Sequence, residues 1–286
     1  MPITLGTNVT SLQAQRRLGV ATDALSKTYE RLSSGQRINR ASDDAAGLAI
    51  ADSLKATARI ASVGIRNAND GISSIAIADS ALGEIGNVLS RLAELSQQSA
   101  NGVFSANQRS ALQNEFTALS SEIERIAVTT EFNGVKLLSG GNELVLQVGF
   151  NSGSTSRISY QGVQGTLASL GLAVAGVSSL SYSVNGVTIS EGQSASRLAL
   201  DAVNSAISSL AATRGVLGAT ESRLQVAINN LSVARENFLS AESRIRDVDV
   251  ASEAAELTRL GILQQAGASV LAQANQQPGL ALSLLR

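Results

Sequence analysis

Asp43-Asp44 is the pair of neighbouring groups in the chain that most suggests acid–base or metal chemistry. Successive residues on a helix point about 100° apart, so these two carboxylates do not converge on one atom. Following Ser42, they read as the charged start of a helix. Few other reactive groups are on offer. The chain has no Cys and no His. That removes thiolate chemistry, disulfides, imidazole ligands and any Ser-His-Asp arrangement. A zinc site would have to rest on carboxylates alone. Ser139-Gly140-Gly141 has no following Lys and no strand-to-helix context, so it is not a phosphate loop. The expectation is a protein that is not an enzyme, with no cofactor and no metal.

A second constellation lies mainly on one helix. Arg91, Leu95 and Gln98 are spaced by four and three and so share one helix face, with Glu115 on a later segment. Taken alone, the pattern describes an ordinary solvated face.

Composition limits the elements that carry these residues. Of 286 residues, 44% are hydrophobic but only 3% are aromatic, and Trp is absent. A core of Ala, Leu, Ile and Val suits closely packed helices better than a sandwich or barrel. Lys and Arg number 22 against 23 Asp and Glu, for a net charge of −1. That balance argues against nucleic acid and against a polybasic membrane anchor. Met1 to Val9 has no basic flank and no long apolar run, so no cleaved secretory signal is expected. Leu260 to Leu285 carries no charge, yet Gln264, Gln265, Gln273, Asn275, Gln276 and Gln277 interrupt it, and Pro278-Gly279 is expected to break it. Such an amide load predicts burial against protein, not insertion in a membrane.

Heptads dominate the second half. Val203, Leu210, Leu217, Leu224, Leu231, Phe238 and Ile245 recur every seventh residue. Leu200, Ile207, Arg214, Glu221, Ile228, Arg235 and Glu242 form the expected companion row, alternating with the first by three and four as in a coiled coil. At about 1.5 Å per residue the helix would be roughly 70 Å long. The first half carries matching seams: Leu54, Ala58, Ala61, Ile65, Ala68, Ile72 and Ile75, then Ala78, Leu82, Ile85, Leu89 and Leu92 after an extra step of three. Leu112, Phe116, Leu119, Ile123 and Ile126 form another, and Asn101-Gly102 lets the chain turn back between them. Three long helices can then pack antiparallel.

The middle reads as two hairpins within about 143–190. One joins Leu144–Phe150 to Arg157–Tyr160. The other joins Leu180, Tyr182 and Val184 to Val187–Ile189 through Asn185-Gly186, expected as a type I′ turn with positive φ. The ends carry two further apolar stripes: Val9, Leu12, Leu18, Leu25, Tyr29 and Leu32, and Leu257, Leu263, Ala266, Val270 and Ala274. The long helices return the chain to its start, so these stripes are expected to pair. The fold class is therefore mainly α. It combines a long antiparallel coiled-coil rod with small β-hairpins over 45–245 and a discontinuous terminal domain of paired helices from 1–44 and 246–286. One such pair buries little apolar surface, so the ends are expected to order only on assembly.

Residues 30–51, ERLSSGQRINRASDDAAGLAIA, closely resemble the N-terminal signature of bacterial flagellins. Asn67-Ala68-Asn69-Asp70-Gly71-Ile72-Ser73, Ser99-Ala100-Asn101-Gly102 and Phe132-Asn133-Gly134-Val135-Lys136-Leu137-Leu138 are similar too, as is Ser243-Arg244-Ile245-Arg246-Asp247-Val248-Asp249. Ile262 to Arg286 matches the family's C-terminus almost throughout. The resemblance covers roughly 1–150 and 195–286 and lacks the outer domains that larger members insert.

The resemblance implies a secreted structural subunit of the flagellar filament that polymerises with itself and serves swimming motility. It is exported by the flagellar type III apparatus with an export chaperone, and it meets cap and junction proteins. It implies terminal helices forming the inner tube, with assembly contacts at Leu12, Leu25, Leu32, Leu263, Val270, Leu284 and Leu285. It implies innate immune recognition. Arg91, Leu95, Gln98 and Glu115 match the surface that vertebrate flagellin receptors and neighbouring subunits use, although Ala93 stands where a basic residue is usual. Arg37, Asp43, Asp44 and Gly47 lie in the segment that plant flagellin receptors recognise. The alternative is a hook–filament junction protein, which shares similar terminal helices; the match at Ile262 to Arg286 is closer to filament flagellin. A filament-displayed enzyme is the reading from another class, and the missing His and Cys weigh against it.

Overall fold

The computed structural model describes residues 7–139, 143–174 and 179–284, with the side chains of 278 and 280–284 left aside. Two compact units emerge: Arg59–Arg235, and Met1–Ala58 together with Glu236–Arg286. The long helices α2 (Ala45–Ser99) and α4 (Ile189–Arg246) run through both.

Within Arg59–Arg235, α2 and α4 run antiparallel. Their register is read from three places: Gly64 lies beside Leu231, Asp79 pairs with Arg214, and Gly86 lies beside Leu210. Val203, Leu210, Leu217, Leu224 and Leu231 are all buried, as the heptad requires. The companion row differs from expectation. It is Ala199, Ala206 and Thr220, with Thr213 and Ala227 half-buried, one residue earlier than Leu200, Ile207, Arg214, Glu221, Ile228 and Arg235. Leu200, Ile207 and Ile228 only flank the seam, and Arg214, Glu221 and Arg235 are exposed. Both rows alternate with Val203 by three and four, so spacing does not choose between them. Packing buries the smaller side chains of the two rows and leaves the larger ones at the edge of the seam.

On α2, Ala61, Ala68, Ile75, Ala78, Leu82, Ile85, Leu89 and Leu92 are buried on both sides of the step of three. The chain then turns into α3 (Ala106–Thr129), which starts at a capping box of Ser105 and Gln108 and buries Phe116 and Ile123 against the same core.

Two short hairpins complete this unit among the described residues. β1 (Glu131–Phe132) and β2 (Val135–Lys136) join through Asn133 and Gly134, whose φ values of 50° and 76° are those of a two-residue hairpin turn. β3 (Leu144–Gln147) pairs antiparallel with β4 (Arg157–Tyr160), Leu144 opposite Tyr160 and Gln147 opposite Arg157, as the sequence suggests. This hairpin seats on one face of α2. Asn67 donates its side-chain amide to the Gln147 carbonyl at 2.8 Å, and the Ser74 and Tyr160 hydroxyls meet at 3.2 Å. A Cβ on Gly64 would lie 2.7 Å from the Val148 carbonyl oxygen, so only glycine admits the hairpin backbone this closely.

The hairpin expected at Asn185-Gly186 does not form. Gly186 is absent from the positive-φ residues, Val187 is 93% exposed, and Ile189 already begins α4. The reason is a reciprocal cap. Thr188 N–H donates to the Glu191 carboxylate at 3.0 Å, and Glu191 N–H donates to the Thr188 hydroxyl at 3.2 Å. That arrangement starts a helix where a second strand was expected.

In the other unit, α1 (Val9–Ser34) and α5 (Val250–Leu284) pair antiparallel. Asn8 caps α1 by accepting from Ser11 N–H at 3.0 Å, and its amide donates to the Ala274 carbonyl at 2.7 Å. Arg31 faces Glu253 at 3.6 Å near the other end of the pair. Contrary to expectation, Pro278-Gly279 does not end the helix, and α5 continues to Leu284. A proline there forgoes one backbone hydrogen bond, which the surrounding helical turns tolerate at this terminus. No described helix is long and apolar enough to cross a membrane.

Candidate assembly surfaces

The seam between α1 and α5 buries few side chains completely. Only Ala14 and Thr28 on α1, and Leu260 and Ala274 on α5, are buried among the described side chains. Half-buried Ser11, Leu18, Ala21, Leu25 and Leu32 continue the row at heptad spacing on α1, and Gln264, Gly267 and Leu271 do so on α5. Other large apolar residues point elsewhere. Leu12 is 56% exposed, Leu263 46% and Val270 58%, and Val9, Val20, Tyr29 and Ile262 are exposed as well. The two stripes expected to meet therefore meet only in part: Leu25 and Leu32 edge the seam, whereas Leu12, Leu263 and Val270 face outward. Along the seam runs an open groove of about 580 Å³, with Leu18, Ala21 and Leu260 in it and the exposed Val20, Leu263 and Val270 on its outward side. The side chain of Leu284, and Leu285 entirely, lie outside the described residues.

Arg37, Asp43, Asp44 and Gly47 all have structural tasks. Gly35 ends α1 with φ 71°, and the chain then pairs with the link between α4 and α5. Arg37 N–H donates to the Arg246 carbonyl at 2.6 Å, Val248 N–H donates to the Gly35 carbonyl at 3.1 Å, and Gln36 bridges to Asp247. The Arg37 guanidinium adds a bond to the Ile245 carbonyl at 2.7 Å. Arg246 returns two more, to the Gln36 side chain at 3.0 Å and to Asp52 at 3.1 Å. Asp43 accepts from the backbone N–H groups of Arg40 and Asn39, which hold its carboxyl below the ordinary carboxylate range. Asp44 caps α2 by accepting from Gly47 N–H at 2.9 Å. As expected, the two carboxylates serve different partners. A side chain on Gly47 would collide with the Asp44 carboxylate and Ile38. Sequence reasoning missed Gln36 and Arg246 as the other half of this tie, because backbone pairing across 210 residues leaves no local pattern.

The face carrying Arg91 is corrected in one respect. Arg91 donates to Glu115 at 2.8 and 3.0 Å and to Glu94 at 2.9 Å, all on the surface. Its hydrogen bonds to the Glu94 and then the Glu115 carboxylate hold its guanidinium above its ordinary pKa. Gln98 is exposed beside it. Leu95, however, is 0% exposed. It belongs to the hydrophobic core of this unit, which also takes in Phe116 and Ile123 of α3. Three of the four residues share a surface, and the fourth supports it from within. No described group of three or more acidic residues could hold a metal ion.

A mainly helical chain whose terminal helices turn large apolar side chains outward has the form of a structural building block for a polymer. The comparisons with known proteins give its family. The bacterial flagellin N-terminal helical region matches residues 5–143 and the bacterial flagellin C-terminal helical region matches 200–285. Flagellin of Halalkalibacterium halodurans is 42% identical over 280 residues, covering 98% of both chains. Flagellin of Bacillus subtilis is 38% identical over 300 aligned positions, again covering 98% of both. A structure of a flagellar hook-associated protein from Vibrio parahaemolyticus covers 72% of this chain and all of its own, with a TM-score of 0.58 and 14% identity, which is a likeness of fold alone.

The chain belongs to the bacterial flagellin family, in its short form. It is a structural subunit of the exported flagellar filament and not an enzyme, and no finding favours the hook–filament junction role.

Proposed function

We propose that the outward apolar faces of α1 and α5 are the contacts by which copies of this subunit join into the inner tube of the filament. The observation that carries this reading is the orientation of Leu12, Leu263 and Val270, which the helix pair leaves exposed. Heterologous contacts of this kind, repeated around an axis, build an open helical polymer. Contiguous apolar surface on an isolated subunit is otherwise a liability. With only four described side chains buried between them, α1 and α5 gain little to offset the ordering cost of about 1–2 kcal/mol per residue, so neighbouring copies supply the missing burial and the ends fold as assembly proceeds. Segments 1–44 and 246–286 then act as the assembly domain and 45–245 as the surrounding rod.

The same reading includes transport through the flagellar type III apparatus without a cleaved signal. Its further partners in this reading are an export chaperone and the cap and junction proteins. The Arg91, Gln98 and Glu115 surface serves subunit contact and the vertebrate flagellin receptor, with Leu95 shaping it from below. The Arg37–Gly47 segment is the plant-receptor-like stretch.

Limited proteolysis of monomer and filament side by side tests the assembly reading. The monomer should be trimmed from both ends to a resistant fragment near 45–245 that no longer polymerises, and the filament should resist. Ends as resistant as the rod in the monomer, or a trimmed fragment that still forms filaments, would overturn it.

A further inference from the structure

Arg109 is the largest charged side chain buried in the rod, at 1% exposure, and among its described partners no carboxylate appears. Three carbonyl oxygens surround it instead. Its Nε donates to Ser99 at 3.1 Å, Nη2 to Asn101 at 3.0 Å and Nη1 to Ile189 at 3.3 Å. These carbonyls belong to three different pieces of chain: the last residue of α2, the turn after it, and the first residue of α4. The carbonyls at the end of α2 lack helical partners and carry the negative end of its dipole, which suits a cation without an acid. The planar guanidinium reaches all three at once, which an ammonium on a single stem does not. Gly192 leaves the space, since a Cβ there would meet Arg109 Cδ at 3.0 Å.

The segment before α4 is bound to the same place. Val184 is 0% exposed. Its N–H donates to the Gln113 side chain at 2.7 Å, and its carbonyl accepts from Ser99 Oγ at 2.6 Å and Ser196 Oγ at 3.1 Å. The Ser183 hydroxyl also donates to Gln113, at 2.9 Å, and Asn185 donates to the Ser110 hydroxyl at 3.0 Å. α3 thus presents Arg109, Ser110 and Gln113 to a strap of chain that crosses the end of α2.

We propose that Arg109 is a buried latch, and that the strap 183–189, the last turn of α2 and the first turn of α4 open and close together as one unit under its control. The strap carries almost no regular backbone pairing of its own, so its position depends on these side-chain bonds. Where several groups share one buried network, losing a member releases the others. A latch of this kind requires the helical seam further along, from Ala61 to Leu92 and from Val203 to Leu231, to keep its own packing when the strap opens.

Hydrogen exchange of the full-length monomer, read by mass spectrometry and by NMR at single amides, tests this. In the unaltered chain, the amides of Val184 and Gly192 should exchange with the same protection. In Arg109→Lys, exchange across 183–192 and 99–101 should quicken at least tenfold, while 203–231 keeps its protection. Gln113→Ala should quicken the same set from the other side of the strap. Protection that differs tenfold or more between Val184 and Gly192 in the unaltered chain would overturn the proposal. So would unchanged strap exchange in a folded Arg109→Lys variant, or acceleration spread evenly through the seam. If the lysine variant fails to fold, the unaltered chain and Gln113→Ala decide the matter.

Discussion

Arg37 and Arg246 are joined backbone to backbone, the amide of the first on the carbonyl of the second at 2.6 Å. The two residues lie more than two hundred positions apart, yet their contact fixes where α1 leaves the chain's beginning and where α5 sets out toward its end. The guanidinium of each then bonds to the other's strand, to Ile245 in one direction and to Gln36 in the other. A segment that the family resemblance marks for recognition is thus also the tie between the two chain ends.

Loss of an outward apolar residue should separate folding from assembly. Leu263→Asp and Val270→Asp place a charge on an exposed face and remove nothing from the rod core. Thermal melting of the monomer should be unchanged, and filament elongation from seeds, followed by electron microscopy, should fail. Normal elongation of both variants would exclude these faces from the subunit contact.

Leu224 is fully buried in the seam of α4. Leu224→Ala should destabilise the protein by about 2–5 kcal/mol, through lost burial and the cavity left behind. Chemical denaturation of the monomer measures it, and a change below about 1 kcal/mol would mean that the site collapses around the gap.

The Asp79–Arg214 pair should give a small acid-side dependence of stability. Arg214 donates two hydrogen bonds to Asp79, at 2.7 and 3.0 Å, and these lower the carboxyl pKa. A depressed carboxylate stabilises the fold above its unfolded value of about 3.9, and the contribution is lost as pH falls through the folded value. Both side chains are more than a third exposed, so the pair contributes about 0.2–1 kcal/mol near neutral pH. Melting of Asp79→Asn against the unaltered chain should show that gap at pH 7. It should close toward pH 2 and narrow in high salt.

Gly64→Ala should loosen the β3–β4 hairpin, because the new methyl would meet the Val148 carbonyl at 2.7 Å and backbone must shift. Faster hydrogen exchange at 144–147 and 157–160, with a loss of about 1–3 kcal/mol as for other overpacked sites, is the expected result. Unchanged exchange would show that α2 can retreat.

Arg91→Ala removes three surface hydrogen bonds, two of them to Glu115 across to α3. Receptor reporter cells given purified monomer should respond more weakly to the variant, with monomer stability shifted by less than about 1 kcal/mol. Leu95→Ala should instead lower stability by about 2–5 kcal/mol, since that residue is core. Equal responses to unaltered and Arg91→Ala monomer would remove this face from the receptor contact.

Much of the architecture was legible because it is periodic. A heptad from Val203 to Leu231 has one buried face whatever the partner, so the long helices and their antiparallel return followed from residue types and spacing alone. The Leu144–Tyr160 hairpin was legible for the same reason, and the family followed from the motifs at both ends.

What spacing leaves degenerate, the tertiary structure decided. Ala199 and Leu200 fit the same alternation with Val203, and only the packing of the folded unit selects the alanine for the core. Asn185-Gly186 and Asn133-Gly134 carry the same turn signal, but Thr188 and Glu191 commit the first to a helix start, whereas Lys136 and Glu131 flank the second as a true pair of strands. Leu95 shares a helical face with Arg91, yet one lies in the core and the other stays on the surface, paired with Glu115. Local sequence fixes which way a side chain leaves its own helix. Whether it meets solvent or another helix depends on segments far along the chain, and no local pattern records their approach.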